Sequence, residues 1–199
     1  SLYRKHGWWE NPALMAEIAR QKELVTPYFA KPYSPAADVL IVYDTDSFFY
    51  RAKLTDPEYM FLEAVARTGA AYDAVYLSDL PKAELSRYRC VLFPNAYALS
   101  DEQLSTIHTL CKDHTVLFFY ATGFCDQSAL CDARISESVG MRVMRCAKQS
   151  AVTAKAGYGG KTYPVGADVA PMFAVADAEA EPIAVYAGTD LIAAAQKGK

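Results

Sequence analysis

Two carboxylates, one cysteine and one sharp turn are the residues of this chain whose types and spacing could do chemistry. Asp44 and Asp46 stand two apart just after an apolar run, where paired carboxylates could work as acid and base or capture a metal. The same i, i+2 spacing beyond a strand also suits ordinary turn and cap residues. No histidine lies nearby in sequence to complete a metal set, which favours the turn reading. Cys125 follows the break Ala121-Thr122-Gly123, the kind of strand-end turn on which many α/β enzymes mount a nucleophile. A cysteine nucleophile needs a neighbouring base and an environment that lowers its pKa. The histidines are His6, His108 and His114. His108 falls on the helix before that strand and His114 at the strand's opposite end, so neither is placed to serve Cys125.

Other motifs have weaker chemical content. Gly157-Tyr158-Gly159-Gly160 has the glycines of a phosphate loop but lacks the Gly-Lys-Ser/Thr ending and a following amphipathic helix, so it reads as a hairpin turn. Trp8, Trp9, Tyr28, Phe29 and Tyr33 make the N-terminal segment aromatic. Such rings could stack on sugars, the basis of a carbohydrate-binding alternative, or pack against a neighbouring domain or subunit. A short segment alone cannot bury two tryptophans, which favours packing. The five cysteines form no Cys-x-x-Cys pair, and their odd number argues against a disulfide framework or a structural zinc.

The elements that would position these groups follow from hydrophobic period and punctuation. Asn11-Pro12 opens a helix whose apolar positions Leu14, Ile18 and Val25 share a face. Residues 31–35 (KPYSP) form an extended connector, so 1–36 is an N-terminal helix and linker, and 37–199 is the compact domain. Residues 39–43 are apolar on both faces, as in the interior of a parallel sheet. A helix from Asp56-Pro57 to Gly69 carries Met60, Phe61 and Val65. A strand at 72–77, a short helical or turn segment at 80–88, and a strand at 90–93 halted by Pro94 follow. Ser100 and Gln103 form a capping box for a helix over 100–111, and 115–120 is the fourth strand. Strands alternating with helices select an α/β, doubly wound, mostly parallel sheet with helices on both faces. Beyond Gly123, the spacing predicts a helical turn at 135–140 and a strand at 141–144. Short alternating stretches such as 172–175 and 183–186 predict antiparallel strands near the C-terminus, on a sheet edge or in a small subsheet.

In such a sheet, ligands bind beyond the carboxyl ends of the strands. The polar groups there are Asp44, Asp46, Asn95, Thr122 and Asp126, the rim candidates for ligand binding. No catalytic residue, metal ligand or cofactor is assigned from the sequence. A net charge of −3 without a Lys/Arg stripe gives no footprint for nucleic acid, and the longest apolar runs are strand-sized, so no membrane partner is expected. The N-terminus shows no basic-then-apolar signal region.

Residues 89–126 (RCVLFPNAYALSDEQLSTIHTLCKDHTVLFFYATGFCD) resemble the trimerisation domain of glycoside hydrolase family 42 β-galactosidases. The shared pattern is a strand ending in Pro, a Leu-Ser-Asp helix start, a strand, then a Gly and an acidic residue. Residues 135–143 (ISESVGMRV) continue the likeness, and Gly7-Trp8-Trp9 with Asn11-Pro12 resembles the stretch leaving that family's catalytic barrel. The resemblance covers roughly residues 7–145. It implies a flavodoxin-like sheet of the class I glutamine amidotransferase type without that class's Cys-His-Glu triad. It further implies catalytic glutamates on a separate barrel, so the partners would be that barrel in the same chain and a homo-oligomer. The expected function is a noncatalytic accessory or oligomerisation domain of a β-galactosidase-like glycoside hydrolase. An amidotransferase-like enzyme using Cys125 is the alternative. One departure is Asp113-His114 where the family has Gly-Gly, which requires a different turn.

Overall fold

The computed structural model describes residues 11–31, 36–47, 57–126, 129–166 and 169–198, with the side chains of 57–60 excepted. His6, Trp8, Trp9, the connector at 32–35, Asp56 and the Met60 side chain therefore lie outside the described residues. The chain divides into two compact units, residues 1–36 and 37–199.

The described residues of the first unit form the helix α1 (Pro12–Phe29). Asn11 caps it: the side-chain oxygen accepts from the Ala13 and Leu14 N–H groups at 3.0 and 3.3 Å. Pro12 costs nothing at the first position, where the N–H would be unpaired anyway. The helix runs four residues past the expected end at Val25 and contains Pro27. The Thr26 hydroxyl donates to the Lys22 carbonyl at 2.7 Å in that last stretch.

The second unit begins with an α/β half. Its strands are β1 (Val39–Tyr43), β2 (Tyr72–Tyr76), β3 (Cys90–Phe93) and β4 (Thr115–Phe118), in the order β2-β1-β3-β4, all parallel. Two helices, α2 (Pro57–Arg67) and α3 (Asp101–Asp113), make the crossovers from β1 to β2 and from β3 to β4. The predicted capping box is present: the Ser100 hydroxyl accepts from the Gln103 N–H, and the Gln103 side chain accepts from the Ser100 N–H. Leu40, Val42, Val91 and Phe93 pack with Leu104, Ile107 and Leu110 of α3 in one core. Ile41 and Leu92, which point to the opposite face of the same strands, are also buried. The near-continuous apolar runs thus reflect a sheet covered on both sides. Leu117 on the edge strand β4 is exposed.

The C-terminal half differs from expectation. It opens with α4 (Asp132–Val139), closed by Gly140 at φ 66°, a left-handed cap that favours glycine. Six strands follow: β5 (Val143–Cys146), β6 (Ala151–Ala154), β7 (Thr162–Pro164), β8 (Met172–Val175), β9 (Glu181–Tyr186) and β10 (Ile192–Gln196). They form a separate antiparallel sheet in the order β5-β8-β10-β9-β6-β7. The α/β content and the parallel sheet are as expected, but the antiparallel strands, expected on a sheet edge or in a small subsheet, form a separate sheet that among the described residues has six strands against four in the parallel one. The reason is visible in β10, where three alanines follow Ile192, and in β6, where only Val152 and Thr153 are β-branched: neither carries the sustained run that announces a strand. Gly159 and Gly160 lie in the β6–β7 hairpin connection, as expected.

Strand β8 joins the two halves. Its Met172 and Ala174 enter a core with Tyr186 inside the antiparallel sheet. Phe173, on the other face, packs with Ala121, Phe124 and Ile135 from the end of the parallel half and α4. Among the described residues no helix is long and apolar enough to cross a membrane.

Candidate functional site

The loops after β1, β3 and β4 meet at the carboxyl end of the parallel sheet, and hydrogen bonds knit them into one layer. Asn95 clamps the backbone of Asp44 in both directions: its Oδ1 accepts from the Asp44 N–H at 3.1 Å, and its Nδ2 donates to the Asp44 carbonyl at 2.9 Å. The Asp44 carboxylate accepts from the Asp46 N–H at 3.0 Å and from the Ser47 hydroxyl. Ser47 Oγ in turn accepts from the Tyr97 and Ala98 N–H groups at 2.8 and 3.2 Å. On the other side of that loop, the Gly123 N–H donates to the Ala96 carbonyl and the Cys125 N–H to the Tyr97 carbonyl, both at 2.8 Å.

This network accounts for the rim residues one by one. Asp44, Ser47, Asn95 and Thr122 are buried. Asp44 and Asn95 are in direct contact, whereas Asp46 is exposed and contributes its backbone N–H. Thr122 sits within the β4 turn, its hydroxyl 3.4 Å from the Phe119 carbonyl. Asp126 lies farther along and closes a local turn by accepting from the Ala129 N–H at 2.9 Å. Burial pushes the Asp44 carboxyl above its ordinary value, and the Asp46 charge adds to the rise; the bonds from Ser47 and Asp46 oppose it. Sequence reasoning passed over Ser47, although the Asp44-x-x-Ser47 spacing is a local signal for a side chain returning to its own turn.

The turn after β4 carries no arranged nucleophile. Cys125 is buried, and that burial, with the nearby Asp126 charge, pushes its thiol above the ordinary range. A thiol held protonated is a poor nucleophile. His108 Nε2 lies 2.8 Å from the Glu137 carbonyl, joining α3 to α4. His114 caps α3 at the amino end of β4, its ring nitrogens 3.3 and 3.1 Å from the Leu110 and Leu85 carbonyls. Among the described residues, no group of three His, Cys, Asp or Glu side chains could hold a metal.

Tyr120, which the sequence places in β4, instead begins the turn: the strand ends at Phe118, and Tyr120 has φ 58°. A bulky residue in this left-handed region costs about 1–3 kcal/mol, held in place by its surroundings. Its ring meets Tyr97 and Phe173 edge-on at 5.9 and 6.0 Å, and its hydroxyl donates to the Pro171 carbonyl at 2.6 Å. Phe124 meets Phe173 at 5.4 Å, and the Arg145 guanidinium lies 5.5 Å from the Phe124 ring centre while pairing with Asp132. Burial raises the Tyr120 phenol to about 12, with Tyr97 and Tyr186 adding to the rise. Aromatic side chains and the segment leading into β8 therefore cover the place where an α/β enzyme would present its catalytic turn.

Gly123 is fixed by its surroundings in two ways. Its φ of 79° is left-handed, and an added Cβ would lie 2.0 Å from Ser138 Oγ on α4. Helix α4 therefore packs directly on the turn.

No family model matches this sequence, and no curated protein matches it. Solved structures do match in fold. A β-galactosidase from Rahnella sp. R3 superposes with a TM-score of 0.64 at 17% identity, over 92% of this chain and 29% of its own. One from Bacillus circulans sp. alkalophilus gives 0.63 at 15% identity, over 90% and 29%. A catalytic mutant of a GH42 β-galactosidase from G. stearothermophilus gives 0.61 at 14% identity, over 93% and 28%. The chain thus has the fold of a portion of β-galactosidases of the GH42 kind and spans under a third of their length. This agrees with the resemblance carried by residues 89–126 and 135–143.

Proposed function

We propose that residues 37–199 are a noncatalytic accessory domain of a β-galactosidase-like glycoside hydrolase. In this reading the catalytic glutamates lie on a barrel domain of the same polypeptide. The observation that carries the proposal is the covered carboxyl end of the parallel sheet: Tyr120, Tyr97, Phe124 and Phe173 meet there, and Cys125 in the same turn is buried, with its thiol pushed above the ordinary range. The likeness to under a third of longer β-galactosidase chains supports the same conclusion. The strand order β2-β1-β3-β4 agrees with the first four strands of the flavodoxin-like order and supports descent from an amidotransferase-like fold. The rim of Asp44, Asn95 and Thr122 then serves to bind the strand-end loops to one another rather than to bind a ligand.

The domain's positive role in this reading is self-association, which shapes the surroundings of the catalytic domain. The test has two measurements. The purified 199-residue chain should not hydrolyse a nitrophenyl β-galactoside, while the polypeptide extended upstream through its own gene should; hydrolysis by the isolated chain would overturn the reading. Sedimentation velocity of the extended polypeptide should show a closed oligomer, and a monomer throughout the micromolar range would remove the self-association role.

A further inference from the structure

Three side chains from separate elements of the antiparallel sheet form one hydrogen-bonded row at its surface. Gln196, at the end of β10, stands directly opposite Glu181, at the start of β9. Gln196 Nε2 donates to the Glu181 carboxylate at 2.8 Å, and Gln196 Oε1 accepts from the Tyr158 hydroxyl at 3.4 Å. Tyr158 belongs to the turn between β6 and β7, and β9 lies between β6 and β10, so the tyrosine reaches across the start of β9. All three residues are exposed, Tyr158 by 47%. A Cβ added at Gly157 or Gly159 would meet nothing within 4 Å, so the turn leaves open space beside the ring.

What the row can recognise follows from its unused bonding capacity. The Gln196 amide nitrogen carries two hydrogens and spends one on Glu181, whose other oxygen, Oε1, has no partner among the described residues. A donor and an acceptor thus stand 2.8 Å apart, close to the separation of neighbouring hydroxyl oxygens on a sugar ring. A hydroxyl both donates and accepts, so two adjacent ones can give a hydrogen to Glu181 and take one from Gln196. Beside them the Tyr158 ring offers an apolar face for the sugar's C–H groups. The bond to Gln196 already fixes that ring, which lowers the entropy lost on binding. A lone cation would engage Glu181 and leave the amide idle, and an apolar ligand would leave both polar groups unmatched. We propose that Tyr158, Gln196 and Glu181 form a binding site for a pyranose with two adjacent free hydroxyls. The sugar stacks on Tyr158 and sets its hydroxyls on the amide–carboxylate pair. The site belongs wholly to the antiparallel sheet, so the inference stands apart from the reading of the parent enzyme given above.

Saturation-transfer NMR on the 199-residue chain tests the proposal, with the methyl glycosides of glucose, galactose and mannose each titrated in turn. At least one should bind saturably with a dissociation constant on the order of 1 mM, the scale for so small a ligand on an open surface. Tyr158→Ala should weaken that binding at least about tenfold, and Gln196→Ala and Glu181→Gln at least about threefold each. Tyr163→Ala, which removes another exposed tyrosine on the neighbouring strand β7, should leave it unchanged. None of the replaced side chains is buried, so each variant should fold as the wild type does. Failure of all three glycosides to saturate would overturn the proposal, as would binding that survives Tyr158→Ala. Cyclohexanol, which has no adjacent hydroxyl pair, is the final control: binding as tight as that of the best glycoside would reduce the site to an apolar contact and overturn its assignment to a sugar.

Discussion

The Tyr120 hydroxyl donates to the Pro171 carbonyl at 2.6 Å, joining the residue that turns the chain after β4 to the one that leads into β8. Through this bond and the ring contacts to Tyr97 and Phe173, the end of the parallel sheet and the start of an antiparallel strand share one aromatic layer. A turn conformation that elsewhere exposes a reactive side chain here aims a phenol at a neighbouring backbone.

Tyr120→Phe keeps the ring and removes the bond. The half-exposed site allows water to replace part of what is lost, so the expected cost is about 0.5–1.5 kcal/mol in urea unfolding. The same variant has an optical signature. Wild type minus variant absorbance should isolate one tyrosine ionising near pH 12, above the ordinary value of 10. A raised pKa means that the group's contribution to stability is whole below 10 and is lost as pH rises through about 12. A difference titration centred at 10 would show that the phenol is not held as described.

Gly123 and Ser138 make a coupled pair. Gly123→Ala places a methyl group 2.0 Å from Ser138 Oγ and 2.8 Å from its Cβ, at a left-handed φ. Strain and overpacking together should cost about 2–4 kcal/mol. Ser138→Ala should go the other way. Its Oγ is buried with no hydrogen-bond partner among the described residues, so removing it should leave stability unchanged or raise it by about 1 kcal/mol. In the double variant, the nearest clash is gone, and the cost should fall short of the sum by more than about 0.5 kcal/mol. Equilibrium unfolding of the four proteins measures this, and strict additivity would contradict the contact.

What the sequence made legible follows from how strongly each element is marked. Strands β1 and β3 announce themselves because both faces are buried, and α3 because Ser100 and Gln103 close its first turn. Strand β10 carries alanines at 193, 194 and 195 and is held by its neighbours, so no local pattern reports it. Strand ends mark the rim residues and the spacing of Asp44 and Asp46 suits a turn, but the distant partners of that turn have no local signal. Asp44 turns inward because Ser47, three residues on, and Asn95, 51 residues on, meet it in space. Tyr120 reads as one more aromatic in a strand; only the contact with Pro171, likewise 51 residues away, explains its backbone.

Asn95 is the tie between β1 and β3, and its removal should be among the more damaging single changes in the α/β half. Asn95→Ala leaves the Asp44 N–H and carbonyl without these partners in a buried layer. Each stranded group costs about 1–3 kcal/mol, so a loss of about 2–4 kcal/mol in chemical denaturation is expected after local relaxation. A loss below about 1 kcal/mol would show that the strand ends do not depend on this clamp.

Asp44 and Asp177 should give opposite pH signatures in one protein. The Asp44 carboxyl is raised by burial, so its ionisation opposes folding. Its contribution is whole below the ordinary value of 3.8 and is lost as pH rises through the raised value. Asp177 is held down to about 2, chiefly by the Arg142 N–H and then by Lys197 and the Glu179 N–H, at 3.0, 3.0 and 2.9 Å. Its contribution is present above 3.8 and is lost as pH falls through about 2. Asp177→Asn should therefore lower the melting temperature at neutral pH and flatten the acid decline between pH 4 and 2. The stability of wild type relative to Asp44→Asn should instead fall as pH rises above 4. Thermal unfolding at intervals from pH 2 to 7 separates the two: parallel curves for wild type and Asp177→Asn across the acid range would refute the depressed carboxyl. A difference between wild type and Asp44→Asn that grows in favour of wild type with rising pH would refute the raised one.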